Sequence, residues 1–220
     1  LPTEHPPIKV ALVQGNISQL TKWDPNSVQN TLLHYKTLAQ GNSADLVLMP
    51  ETAFPIFFQN IPEKFLLSLI KPIKERSGNL LVGIPEIGSD GKYYNSVFSF
   101  GKSPEQVYRK KHLVPFGDYF PLHSLFFWFI ENVDIPMSSF SPGDRQQATI
   151  KIGQQEIGIN ICYEDVFGRV IINQLPKATI LANFTNDAWW GKSLASRQHQ
   201  QISQMRAIET ARVMLRATNT

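Results

Sequence analysis

Four short runs, "IKVALVQ" at 8–14, "DLVLMPE" at 45–51, "NLLVGIPE" at 79–86 and "ATILANFT" at 178–185, are largely apolar and end abruptly. This pattern constrains the fold more than any other. Apolar runs of this length, bounded by Gly, Pro or polar residues, predict buried strands. Between them lie stretches of helical character. "DPNSVQNTLLHYKTLAQG" predicts a capped helix, with Asp24 as N-cap, Pro25 at the first helical position and Gly41 at the stop. A second helix is expected over roughly 62–77.

The middle of the chain is β-rich. "YYNSVFSF" and "EQVYRKKHL" flank "GKSP" as one hairpin, and "ATIKIG" and "QEIGINICYE" flank "GQ" as another. "DVFGRVIINQL" reads as helical. Residues 195–216 read as one long amphipathic helix carrying Arg197, Arg206, Arg212 and Arg216 as a solvated or ion-paired face, with no strand closing the chain after it. Strands alternating with helices, with antiparallel hairpins between, predict an α/β fold of mixed sheets covered by helices. A length of 220 residues suits one domain spanning 1–220.

Composition removes several function classes. The net charge is +3, and apart from "YRKK" the basic residues are scattered, so no nucleic-acid partner is expected. A single cysteine excludes an internal disulfide and any multi-cysteine zinc site, and no metal or cofactor is expected. "LPTEHPPIKV" has neither the basic nor the apolar region of a signal peptide. No run reaches the ~18 apolar residues that span a bilayer. The chain is expected to be a fragment of a longer protein.

Chemistry is suggested by three strand ends: Glu51 after "LVLMP", Lys110 after "QVYR" and Cys162 after "IGINI". Ligand sites of α/β sheets gather at such ends. Each residue also has an ordinary reading. A lone Cys is commonly buried filler, and a Glu after a strand is commonly solvated or a helix cap. Paired lysines on a strand commonly serve solubility. Context favours function. "YEDVFG" turns at once from strand toward helix, a geometry that exposes a nucleophile and whose helix N-terminus would favour the thiolate. Glu51 is surrounded by "LVLMPETAFPIFF", apolar company that suits a carboxylate to general-base work. Strand alternation sends Lys110 and Lys111 to opposite faces, so one can point inward and stabilise an oxyanion with a backbone N–H beside Cys162. His112, on the face of Lys110 if the strand continues, competes as the partner of Cys162.

Glu, Lys and Cys at strand ends in that order resemble the nitrilase, or carbon–nitrogen hydrolase, superfamily. "VQGNISQLTKW", "MPETAFP", "HLVPFGDYFPL", "PMSSFSPG", "ICYED" and "NDAWWGKS…QHQQISQMRAIETAR" are similar, within it, to the apolipoprotein N-acyltransferase branch. The resemblance implies a four-layer α-β-β-α sandwich lacking its last strands, and a catalytic triad at Glu51, Lys110 and Cys162. It also implies a supporting role for Glu164 and for Asp118, which stands where the family's "PFGE" carries Glu.

The reaction it implies is a two-step acyl transfer, from a phospholipid donor through a Cys162 thioester to the diacylglyceryl-cysteine amine of an apolipoprotein. The Tyr163 N–H and Lys110 would hold the oxyanion. The setting would be the bacterial inner membrane, with the domain facing the periplasm. "DYFPLHSLFFWFIENV", with six aromatic residues among 119–129, reads either as core or as an arm touching lipid. Trp189 and Trp190 share a polar loop, so at least one is expected at a site or interface. Trp23 is a weaker candidate with packing as its default, and Phe116 joins them as a substrate contact. A soluble amidase and a catalytically silent membrane-associated module are the competing readings.

Overall fold

The apolar runs pair into two sheets. The structure, a computed structural model, describes residues 6–115, 117–119, 140–191 and 193–220. One sheet has the order β1 (Val10–Leu12), β2 (Leu46–Met49), β3 (Asn79–Ile87), β4 (Tyr93–Gly101), β5 (Gln106–Arg109). The other runs β6 (Ile150–Ile152), β7 (Gln155–Ile161), β8 (Ile180–Thr185), β9 (Val213–Thr218). β1, β2 and β3 are parallel, as are β7, β8 and β9; the hairpins β3–β4, β4–β5 and β6–β7 are antiparallel.

Alternation along β2 explains why its sequence is apolar on both faces. Val47 and Met49 pack with Leu32 and Tyr35 of α1 (Pro25–Gln40) and with Leu69 and Ile73 of α2 (Glu63–Glu75). Leu46 and Leu48 point the other way, joining Leu81, Val97 and Tyr108 against Ile157, Ile159, Ile161, Ala182 and Phe184 of the second sheet. Each such side chain removed from water stabilises by about 1.5–3 kcal/mol. On the outer face of the second sheet lie α3 (Gly168–Ile172), whose Ile171 packs on Leu181, and α4 (Ala195–Thr210). The layers are thus helix, sheet, sheet, helix, as the resemblance implies. Asp24 caps α1 by accepting from the Asn26 N–H, with Pro25 at its start, as expected.

Two expectations are corrected. The helix predicted over 195–216 stops at Thr210, and Val213–Thr218 forms β9, parallel to β8, so a strand does close the described chain. Ala211, in the left-handed region at φ 51°, turns the chain where no glycine signals a stop. Leu215 and Ala217 then face the other sheet while Met214 packs outward, a period-two pattern that a helical reading absorbs. "DVFGRVIINQL" is likewise not one helix: a 3-10 turn over Cys162–Val166 precedes the short α3. Among the described residues no helix is long and apolar enough to cross a membrane. Phe116 and, Tyr119 apart, the aromatic run at 119–129 lie outside the described residues.

Candidate active site

β2 ends at Met49, and Pro50 and Glu51 turn the chain at once, with Thr52 in the left-handed region at φ 44°. The turn fits only because β3 carries Gly83 beside it. A Cβ there would lie 2.4 Å from the Pro50 carbonyl oxygen and 2.7 Å from the Glu51 Cα. Glu51 is buried, and its carboxylate is held from three sides. Oε1 accepts from Asn95 Nδ2 at 2.8 Å and from Lys110 Nζ at 3.4 Å, and Oε2 from the Asn186 N–H at 3.2 Å. Lys22, also buried, donates to the Glu51 carbonyl at 3.4 Å and to the Thr52 hydroxyl.

Lys110 follows β5 and points inward with 2% of its surface exposed, whereas Lys111 is half-buried. Its ammonium lies 2.8 Å from Asp118 as well as 3.4 Å from Glu51. Burial opposes the charge, but the carboxylates of Glu51 and Asp118 outweigh it and hold the ammonium pKa above its ordinary value. Asp118 also accepts from the Val114 N–H at 2.8 Å, so its shorter side chain still reaches the lysine.

Cys162 terminates β7 with φ 52°, a strained conformation for a side chain with a Cβ, of the kind found at functional sites. Part of its surface remains open. Burial, then the charge of Glu51, pushes its thiol well above the ordinary range, with Lys110 and a hydrogen bond with Thr185 acting the other way. The expectation that a helix N-terminus would favour the thiolate is corrected on geometry: a 3-10 turn, not an α-helix, follows Cys162, and burial and the neighbouring Glu51 both favour the thiol.

Glu164 is fully buried. Oε1 accepts from the Lys111 and His112 N–H groups at 2.7 and 3.0 Å, and Oε2 from the Ile161 N–H at 2.8 Å and the Tyr108 hydroxyl at 3.0 Å. It supports Lys110 through the backbone that follows the lysine, tying the end of β5 to the end of β7. His112 does not partner Cys162: β5 stops at Arg109, and the exposed imidazole lies 3.6 Å from the ring of Phe167.

Trp23 is half-buried with the Lys22 ammonium 5.6 Å from its ring. Trp189 and Trp190 are 59% and 42% exposed, so neither belongs to the core. Trp190 lies 5.9 Å from the ring of Tyr163, the residue after the candidate nucleophile.

Sequence reasoning missed the layer beneath Cys162. The Cys162 carbonyl accepts from Asn183 Nδ2 at 2.9 Å and faces His199 Nε2 at 3.2 Å. His199, fully buried on α4, lies 3.1 Å from Asp165 and 2.9 Å from Asp187, and Arg216 of β9 pairs with Asp187. One signal was available: Asn183 and Thr185 interrupt "ILANFT" at every second position, marking a polar face on a buried strand. Nothing in one sequence joins that face to His199, sixteen and fourteen positions on.

A buried carboxylate, an inward lysine and a strained cysteine, each just after a strand and set in a helix–sheet–sheet–helix frame, are the arrangement that the carbon–nitrogen hydrolase resemblance implies. The Carbon-nitrogen hydrolase family matches residues 9–220, and the chain belongs to it. Its relatives narrow the comparison. It is 50% identical over 218 residues to an apolipoprotein N-acyltransferase of Nitrosomonas europaea, covering 99% of this chain and 44% of that protein. It is 44% identical over 215 residues to an apolipoprotein N-acyltransferase of Chromobacterium violaceum, covering 97% and 42%. The chain thus spans less than half the length of these curated relatives. A mutant of a Nesterenkonia amidase from the nitrilase superfamily superposes with a TM-score of 0.67 at 15% identity, over 96% of this chain and 76% of that one.

Proposed function

We propose that these residues form the nitrilase-like part of an apolipoprotein N-acyltransferase. The observation that carries the reading is the buried Glu51–Lys110–Asp118 cluster, with the strained Cys162 close enough for those charges to act on its thiol. The identity to named N-acyltransferases supports the choice of substrate.

Glu51 takes the Sγ proton as sulfur attacks the sn-1 ester carbonyl of a phospholipid, and Lys110 and the Tyr163 N–H hold the oxyanion. Collapse expels the lysophospholipid alkoxide, which receives the proton from Glu51, and leaves a Cys162 thioester. The α-amino group of a diacylglyceryl-cysteine apolipoprotein attacks that thioester, Glu51 accepts the ammonium proton, and collapse to the amide returns a proton to sulfur. A thiol that is neutral at rest suits this scheme, because the base beside it ionises it only as the bond forms. The exposed Trp189 and Trp190 suit contact with the lipid surface that supplies the donor. The periplasmic face of the bacterial inner membrane is the proposed setting.

The test is intact-mass spectrometry after incubation with a defined phospholipid, using the natural full-length polypeptide that carries these residues. A fatty-acyl adduct that Cys162→Ala abolishes is the expected result. Absence of the adduct, or its survival in Cys162→Ala, would overturn the proposal. Release of free ammonia from small amides without acyl transfer would support an amidase instead.

A further inference from the structure

Each peptide unit carries its C=O and N–H at opposite ends of one rigid plane, so anchoring the carbonyl aims the amide. The Cys162 carbonyl and the Tyr163 N–H belong to one such unit. That carbonyl is anchored twice, by Asn183 and by His199. We infer that His199, as an imidazolium locked between Asp165 and Asp187, is a positioning residue that grips the Cys162 carbonyl and thereby aims and polarises the Tyr163 N–H toward the oxyanion. The inference rests on the acyl-transfer reading given above.

The protonation state follows from geometry. Nδ1 lies 2.9 Å from Asp187 Oδ1, and Nε2 lies 3.1 Å from Asp165 Oδ1 and 3.2 Å from the Cys162 carbonyl oxygen. A nitrogen lone pair directed at a carboxylate oxygen would be repulsive, so both nitrogens carry protons. The surroundings balance the charge. Asp165, from the turn after Cys162, also accepts from the Ser203 hydroxyl, and Arg206 donates to its backbone carbonyl at 2.7 Å. Asp187, from the turn after β8, also pairs with Arg216 of β9 and accepts from Thr185 at 3.0 Å. Arg216 lies 3.2 Å from Nδ1, a repulsion that the two carboxylates offset. Tyr163 stacks on the imidazole, ring centroids 4.9 Å apart. The cluster draws on the 3-10 turns around Cys162 and Asp187, on α4 and on β9, and the ring is fully buried among them.

A cationic donor draws electron density from the carbonyl it touches and strengthens the N–H at the other end of the same amide. Thioester formation needs that N–H; alkylation of sulfur by iodoacetamide passes through no oxyanion. The two reactions of Cys162 therefore separate positioning from mere folding.

The experiment compares both rates in the full-length polypeptide and in His199→Gln, with dioleoyl phosphatidylethanolamine vesicles as acyl donor. His199→Gln is expected to slow acylation of Cys162 by roughly 10- to 100-fold, less than the roughly 100- to 1,000-fold cost of losing an oxyanion donor outright, while alkylation proceeds as before. Equal slowing of both reactions, or of neither, would overturn the inference. Should the variant fail to fold, the unmodified protein decides. His199 is held charged up to about pH 9, so acylation itself should slow as pH rises through that value, while alkylation keeps climbing with the thiolate. Acylation that does not slow overturns the inference. An unmodified protein that forms no acyl adduct at neutral pH instead strikes the acyl-transfer reading, a result distinguishable from an unchanged pH response.

Discussion

The ammonium of Lys110 stands 3.4 Å from the Glu51 carboxylate, with Asp118 on its other side at 2.8 Å. One cation thus serves two buried anions. It is held charged, and it tempers the field that Glu51 exerts on Cys162. Removing it strands two buried carboxylates without their cation. Lys110→Met is therefore expected to abolish acylation of Cys162, with a loss of at least about 100-fold expected for a missing oxyanion donor. Glu51→Gln should have the same outcome by removing the base while keeping the Asn95 and Lys110 contacts. Intact-mass measurement of the adduct checks both, and normal acylation in either variant would remove that residue from the mechanism.

The raised thiol pKa sets the pH response of the free protein. Without substrate, Cys162 should label slowly with iodoacetamide at pH 7, and the rate should keep climbing above pH ~8.5, where an ordinary thiol levels off. In Glu51→Gln the second-largest cause of the shift disappears, so the profile should move toward lower pH. A plateau at or below the ordinary thiol range in the unmodified protein would contradict this.

Glu164 satisfies four donors from both sheets while fully buried. Glu164→Gln keeps the shape but replaces one acceptor oxygen with a donor that meets other donors. A loss of about 3 kcal/mol is expected, from the weakening of charge-assisted hydrogen bonds and the stranding of buried N–H groups. Urea denaturation measures it, and a loss within experimental error would show that the backbone holds this junction without the carboxylate.

His199 predicts a pH dependence of stability. Burial opposes its charge, but hydrogen bonds to Asp165 and Asp187 prevail and raise its pKa from 6.5 to about 9. The native state then binds this proton more tightly than the unfolded chain. The resulting stability is fully present below pH 6.5 and is lost as pH rises to about 9. It amounts to on the order of 3 kcal/mol. Denaturation at pH 6 and pH 9 should show the difference in the parent and a much smaller one in His199→Gln.

Trp189 and Trp190 contribute little to the core, so Trp189→Ala with Trp190→Ala should leave the melting temperature within about 2 °C, as for other surface changes. Binding to phospholipid vesicles should weaken clearly in a sedimentation assay. Undiminished binding would assign these rings another partner.

The frame, Glu51 and Cys162 were legible in the sequence because burial on both faces forces uninterrupted apolar runs, and the first reactive polar residue after each run stands out; Lys110, after the mixed strand "QVYR", was legible only through strand alternation. Glu51 after "LVLMP" and Cys162 after "IGINI" show this plainly. β9 was not legible, because "VMLRAT" continues the apolar spacing of α4 and the break falls at Ala211, whose residue type announces nothing. Asn95, Lys22 and Asn186, which hold Glu51, were hidden differently. Each comes from a separate element, and only the folded chain brings them to one carboxylate.

Glu51 and Lys110 issue from one sheet and Cys162 from the other, with Leu48, Tyr108, Ile159 and Phe184 filling the space between. The spacing of base and nucleophile is therefore set by the thickness of an oily interlayer. Trimming one methylene from Leu48 or Ile159 should detune the reaction at temperatures where the protein is still folded, so that turnover becomes a finer gauge of how well the sheets mesh than any melting curve.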